Sequence, residues 1–254
     1  MSVFTTKTFF PAFLRTLGLL YLYILIGLFI DSKFMVAYYQ ESQWIANALM
    51  VFIFSIVLWK STPKMRELMV YAVLIGYGGE YLFSIGFGMY TYRLENVPHY
   101  IPMGHALVYL GVLYFIKTTY VKQQRQQLEK IFTVIIIAYA TAFLIFKSDV
   151  FGFVLTAITL LILRKKPRER LFYLTMYLSI VFLEIAGTSY ESWRWPEIAF
   201  DYFSFLPSAN PPSGISFFYF GLDLGCLWLY KQRHKLAWSR MKNQRKIRLG
   251  STSS

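Results

Sequence analysis

The chain has 254 residues, of which 56% are apolar, 20% aromatic and only 15% charged, and its mean hydropathy is +0.44. A soluble domain carries about a quarter charged residues, and a single water-soluble core of this length could not hide so much apolar surface. The 26 Lys and Arg against 13 Asp and Glu give a net charge of +13, which in a soluble protein would suggest nucleic acid but here first has to be tested against membrane orientation. The single cysteine, Cys226, excludes an internal disulfide, and three histidines are too few for a multi-histidine di-iron site. Zinc fingers and Fe–S clusters fall by the same count, so no metal is expected.

Apolar runs long enough to approach the roughly 30 Å of a hydrocarbon core begin with residues 13–30, 44–59, 68–90 and 100–116. A second set covers residues 131–146, 150–163, 171–193 and 213–230, with the second and sixth runs short enough to need interfacial flanks. The expected fold is therefore all-α, a polytopic membrane protein with about eight transmembrane helices. The first run follows only Lys7 and Arg15, lacks a small-residue cleavage site and is followed by Asp31 and Lys33, so it reads as a retained anchor.

If the helices alternate in direction, 22 of the 26 basic residues fall on one side, and only Lys33, Arg93, Lys147 and Arg194 on the other. That asymmetry predicts both termini in the cytoplasm of a multi-pass protein of the cell membrane. The net charge is then mainly a topology signal, no nucleic acid is expected, and the basic tail at 236–254 reads as a solvated segment beside anionic lipid. The last residues, Gly250-Ser-Thr-Ser-Ser, read as disordered.

Self-comparison shows an internal repeat. Residues 102–111 and 212–221 both read Pro-x-Gly-x4-Tyr-x-Gly, placing Tyr109 and Tyr219 in register. Upstream of each, Glu80 with Ser84 and then Tyr90-x-Tyr92 corresponds to Glu184 with Thr188 and then Trp193-x-Trp195. A repeated four-helix unit keeps its orientation, so two parallel repeats, 1–122 and 123–235, are expected, with helices three, four, seven and eight facing one another. Helices one, two, five and six show no convincing match and are assigned to the lipid-facing wall.

Glu80 and Glu184 each lie about 18 Å along their runs, near the bilayer middle, and Asp223 is a third acid nearer the cytoplasmic half of the last run. An ionised acid facing lipid costs on the order of 3 kcal/mol or more, so all three should face the interior. Two readings stay open for them: locks between helices through Tyr, Ser and Thr partners, or a proton-handling site. Ser84 and Thr188 follow one turn later on the same face, where they would hydrogen-bond the glutamates. His105 stands as a structural residue or as a proton relay to Glu80, while His99 falls off the helix.

Tyr90, Tyr92, Trp193, Trp195, Tyr100 and Tyr202 form an expected aromatic rim on the non-cytoplasmic side. Arg93 with Glu95 and Arg194 with Glu197 are expected as matched ion pairs at a cavity mouth. The apolar stretch from Arg194 to Asn210 reads as an amphipathic lid in the interface.

The segment Glu80, Gly86-Phe-Gly-Met-Tyr90-Thr-Tyr92, Val97-Pro98 and Tyr100-Ile-Pro102 resembles the bacterial membrane carotenoid 1,2-hydratase family over about forty residues. His105 and the absence of a Phe-Gly in the second half depart from that pattern. The resemblance implies a cofactor-independent lyase of carotenoid biosynthesis that adds water to a terminal isoprenoid double bond. Glu80, Glu184, Asp223 and His105 would then be catalytic, and Tyr77, Ser84, Tyr90, Tyr92, Tyr109, Thr188, Trp193, Trp195 and Tyr219 would surround the hydrophobic small-molecule substrate. The alternative is a small proton-coupled transporter or lipid-binding membrane protein with the same acids at the repeat interface. Membrane lipid is a partner in either case, and oligomeric state is left open.

Overall fold

The computed structural model describes residues 6–236 and residue 239. Most of the basic tail, including its Gly-Ser-Thr-Ser-Ser end, lies outside the described residues. The chain opens with α1 (Thr6–Phe13), a π-helical turn (Leu14–Gly18) and α2 (Leu19–Ile30), followed by the short α3 (Lys33–Val36), α4 (Ser42–Lys60) and α5 (Pro63–Glu80). Thr62 caps α5 by accepting the Met65 N–H, and Pro63 takes the first helical position, where its missing N–H leaves nothing unpaired. A second π-helical turn (Tyr81–Gly86) and strand β1 (Thr91–Tyr92) lead to α6 (Tyr100–Lys117), α7 (Thr119–Gln123), α8 (Arg125–Lys147) and α9 (Val150–Arg164). The chain closes with α10 (Arg170–Ser189), strands β2 (Trp193–Arg194), β3 (Ile198–Ala199) and β4 (Phe203–Pro207), and α11 (Ser216–Arg233).

Among the described residues, six helical segments are long and apolar enough to cross a membrane: Phe9–Val36, Ser42–Lys60, Pro63–Gly86, Tyr100–Lys117, Arg125–Lys147 and Arg170–Ser189. The protein is a helical, multi-pass membrane protein. Two of the eight expected spans fall short for different reasons. Helix α9 has 15 residues, about 22 Å at 1.5 Å per residue, and α11 carries Asp223, Lys231 and Arg233 within 18 residues. The outer surface suits lipid: Val134 and Phe146 of α8 and Phe52 and Trp59 of α4 are 65%, 81%, 62% and 77% exposed. In water such a surface would be an association hazard, whereas in hydrocarbon it is simply solvated.

Helix α5 packs on α6 and α11, and α10 packs on α6 and α11, so these four close into a ring. Helices α2 and α4 cover one side of it and α8 and α9 the other. Gly152 at the start of α9 and Gly214 just before α11 bring two backbones into close contact. A Cβ on Gly214 would overlap the Gly152 carbonyl and crowd Leu155 and Thr156, while one on Gly152 would overlap Asp149 and Ser213. Such backbone contact is what small residues permit between membrane helices. Gly214→Ala or Gly152→Ala is expected to destabilise the fold by about 1–3 kcal/mol. Gly221→Ala, whose Cβ would meet nothing within 4 Å, should be neutral, and melting temperatures in detergent compare the three.

Candidate functional site

Glu80 is the last residue of α5, 17 residues from its start, which places it about 25 Å along the axis. Glu184 lies 14 residues into α10, at about 21 Å. Both acids therefore sit beyond the midpoints of their helices, toward the strand-bearing end. They are 3% and 2% exposed.

Their donors come from the chain that folds back over the helix ends. After the π-helical turn, the Phe87 and Met89 N–H groups donate to the Leu82 and Phe83 carbonyls. Gly88, with φ of 59°, supplies the left-handed residue that reverses the backbone. Strand β1 then returns over α5. Residues two apart on a strand share a face, and so both Tyr90 and Tyr92 hydroxyls donate to Glu80 Oε2 at 2.5 Å. The second half does the same with indoles: Trp193 and Trp195 Nε1 donate to Glu184 Oε2 at 2.8 and 3.0 Å. Gly187 makes room for this, since a Cβ there would collide with the Trp193 ring. The Tyr219 hydroxyl donates to the other Glu184 oxygen, Oε1, at 2.8 Å.

Strands β1 and β2 pair antiparallel, with Thr91 opposite Arg194 and Tyr92 opposite Trp193. That pairing sets Tyr90 against Trp195 at 4.6 Å between ring centroids and Tyr92 against Trp193 at 6.1 Å. His105 of α6 stacks edge-on against Tyr219 at 4.8 Å, and its Nε2 lies 3.5 Å from Glu80 Oε1. Its buried Nδ1 has no hydrogen-bond partner.

Two cavities flank this partition. One of about 50 Å³ is bordered by Glu184, His105, Tyr219 and Trp193 and extends to Tyr23 and Gly27 of α2 and Met50 of α4. A smaller one of about 20 Å³ is bordered by Glu80, Gly79, Phe83, Trp195 and Phe218, and also by His105 and Tyr219. Each exceeds the volume one water needs. Tyr23 and Gly27 are themselves partly exposed on the outer surface, beside the lipid-facing Leu22 and Ile26, so the larger cavity approaches lipid between α2 and α4. The Tyr23 hydroxyl meets Met50 Sδ at 3.8 Å across that approach.

The structure gathers Glu80, Glu184, His105, Tyr90, Tyr92, Trp193, Trp195 and Tyr219 at one place and leaves the other expected site residues elsewhere. Ser84 donates to the Tyr90 carbonyl and Thr188 to the Glu184 backbone carbonyl; a hydroxyl one turn after an acid finds a backbone acceptor nearer than the carboxylate. Tyr77 faces outward and meets His99 Nδ1 at 3.0 Å. Tyr109 stacks edge-on with Phe172, and Asp223 is buried with Oδ2 unpartnered, bordering neither cavity.

The aromatic rim is not interfacial. Tyr90, Tyr92, Tyr100, Trp193 and Trp195 are buried, and only Tyr202, at 79%, is exposed. The stretch after Arg194 forms the small β3–β4 pair with Phe205 exposed. Arg93 turns away from Glu95 and pairs with Asp31.

Asp31 and Asp149 were not expected in this arrangement. Both are fully buried. Asp31 accepts from Arg93, from the Tyr100 hydroxyl at 2.7 Å and from Gln43 at 3.4 Å, fixing the start of α6. Asp149 accepts backbone N–H groups of Gly152, Ala209 and Ser213, fixing the chain before α11. Asn47 accepts the Tyr100 N–H and Asn210 the Trp195 N–H. The one available signal was an acid at the end of each half's first apolar run. Comparison with protein-family models, curated proteins and solved structures found no match.

Two predictions follow from these contacts. Asp31→Asn strands the Arg93 guanidinium and is expected to cost about 3–5 kcal/mol, read as a lowered unfolding midpoint in detergent. Burial, and then the adjacent Glu80 carboxylate, push the Tyr90 and Tyr92 phenols well above their usual value. A raised folded-state value means that their contribution to stability is fully present below about pH 10 and is lost only as pH climbs through the raised value. The Tyr90→Phe/Tyr92→Phe double variant should therefore lose less phenolate absorbance through the ordinary tyrosine range than two exposed tyrosines would account for; loss of two full tyrosine signals there would show the phenols unshifted.

Proposed function

We propose that the protein is a cofactor-independent membrane enzyme that adds a proton, and then water, across a double bond of an isoprenoid or related lipid, with hydration of an acyclic carotenoid as the best-fitting reaction. The observation that carries this reading is the pair of buried carboxylates bordering small cavities on either side of the His105–Tyr219 partition, with the larger cavity approaching lipid at Tyr23 and Gly27. In the same reading the chain is two parallel four-helix units, 1–122 and 123–235. Both ends are cytoplasmic, the membrane is the cell membrane, and α9 and α11 complete eight spans.

The donor geometry divides the roles. Glu184 receives three donors over its two oxygens, an arrangement suited to holding negative charge. Glu80 has both phenols on Oε2, leaving Oε1 toward His105 as the position from which a proton is delivered. Proton transfer to the alkene leaves a tertiary cation, and the rings of Tyr90, Trp193 and Trp195 around the site suit a cation. Water adds to that carbon and gives its proton to Glu184. Exchange of that proton with water in the cavities bordering the two carboxylates resets Glu184 and Glu80, so the cycle needs no reagent besides water. A transporter would require an aqueous path to the acids, and the approach through lipid-facing α2 favours an apolar substrate instead.

The test is replacement of Glu80 and Glu184 separately by Gln in a host that accumulates an acyclic carotenoid. Each should lower hydroxylated product at least about 100-fold, the usual reach of a general acid or base. Undiminished hydroxylation in both variants overturns the reading.

A further inference from the structure

A cavity of about 320 Å³ lies between α9, α10 and α11 and belongs to none of the contacts above. Its inner wall is Phe83 and Phe218, which also border the Glu80 cavity and meet edge-on at 5.2 Å. Its outer end is Lys166 and Glu169, in a connection that carries Arg164, Lys165, Lys166, Arg168 and Arg170 against the single Glu169. From Thr159 to Lys166 the α9 side rises about 10 Å. The wall is apolar and largely aromatic.

We infer that this cavity holds the chain of a single-chain isoprenoid amphiphile, with its anionic end on Lys166 and its unsaturated end reaching the Glu80 cavity past Phe83 and Phe218. The inference rests on the acid–base chemistry of the reading above but not on its carotenoid, which has no anionic end, and puts in its place chains that end in a phosphate or similar anion. The basic connection supplies the charge complementarity.

Binding of labelled geranylgeranyl phosphate to the purified full-length protein in detergent tests this without turnover. Saturable binding of one molecule per chain is expected. Gly221 borders the cavity and its Cβ direction is open, so Gly221→Phe should plug the space and weaken binding at least tenfold, while Gly221→Ala binds as the parent does. Lys166→Glu, at an exposed position that does not endanger folding, should weaken the phosphate at least fivefold and geranylgeraniol less than twofold. Equal binding by the parent and Lys166→Glu overturns the inference, as does displacement of the probe by phosphatidylglycerol at the same concentration as by unlabelled geranylgeranyl phosphate. Intact binding together with undiminished activity of the Glu→Gln variants would sink the acid–base reading and leave the chain site standing. Lost binding with Glu-dependent hydration would do the reverse.

Discussion

A carboxylate carried into a bilayer must find its hydrogen-bond donors inside the protein, because hydrocarbon offers none. The burial of Glu80 and Glu184 therefore governs the layout around them. Each acid draws two donors onto one oxygen from side chains two residues apart, Tyr90 with Tyr92 and Trp193 with Trp195. Only an extended segment places residues i and i+2 on one face. That is why short strands appear in a helical membrane protein, and why they lie over the ends of α5 and α10.

The strands do a second thing. By pairing with each other, β1 and β2 join chain segments about a hundred residues apart, and they stack the donors of one acid against the donors of the other. A change in the position of either carboxylate would be felt at its counterpart through two aromatic contacts and a backbone ladder. Asp31 and Asp149 extend this order outward: one holds Arg93, which follows β1, together with the start of α6, and the other holds the chain entering α11. The acids of this chain thus act in two tiers. The inner pair borders cavities, and the outer pair fixes the segments that bring donors to the inner pair.

Much of this was legible in the sequence because the signals are local. Apolar run length located the helices to within a few residues, and the recurring Glu-x3-Ser/Thr followed by an aromatic-x-aromatic pair marked both acids and their four strand donors. What failed to show depends on tertiary return of the chain. The aromatic pairs resemble interfacial anchors by composition, and nothing local distinguishes a Trp at the membrane surface from one folded inward onto a buried acid. Asp31 and Asp149 were hidden because they stand at different distances, 49 and 35 residues, before their glutamates, so self-comparison could not align them. Ser84 and Thr188 were misplaced for a different reason: helical spacing puts them near the glutamates, but their hydroxyls reach backbone carbonyls first.

The depth of the glutamates follows from the same constraint. A carboxylate at the middle of α5 or α10 would have only neighbouring helices to supply donors, and a helix presents successive residues on one face only every three or four positions. Two donors converging on one oxygen would then have to come from separate helices, each adding its own positional error. Near the helix end, a turn with one left-handed residue, Gly88 after α5 and Glu191 after α10, brings a single strand back over the acid with both donors in fixed register. The buried rings of Tyr90, Tyr92, Trp193 and Trp195 cover the acids from the strand-bearing side. The two glutamates are thus far enough along their helices to be reached by loop side chains, yet roofed by the very residues that reach them.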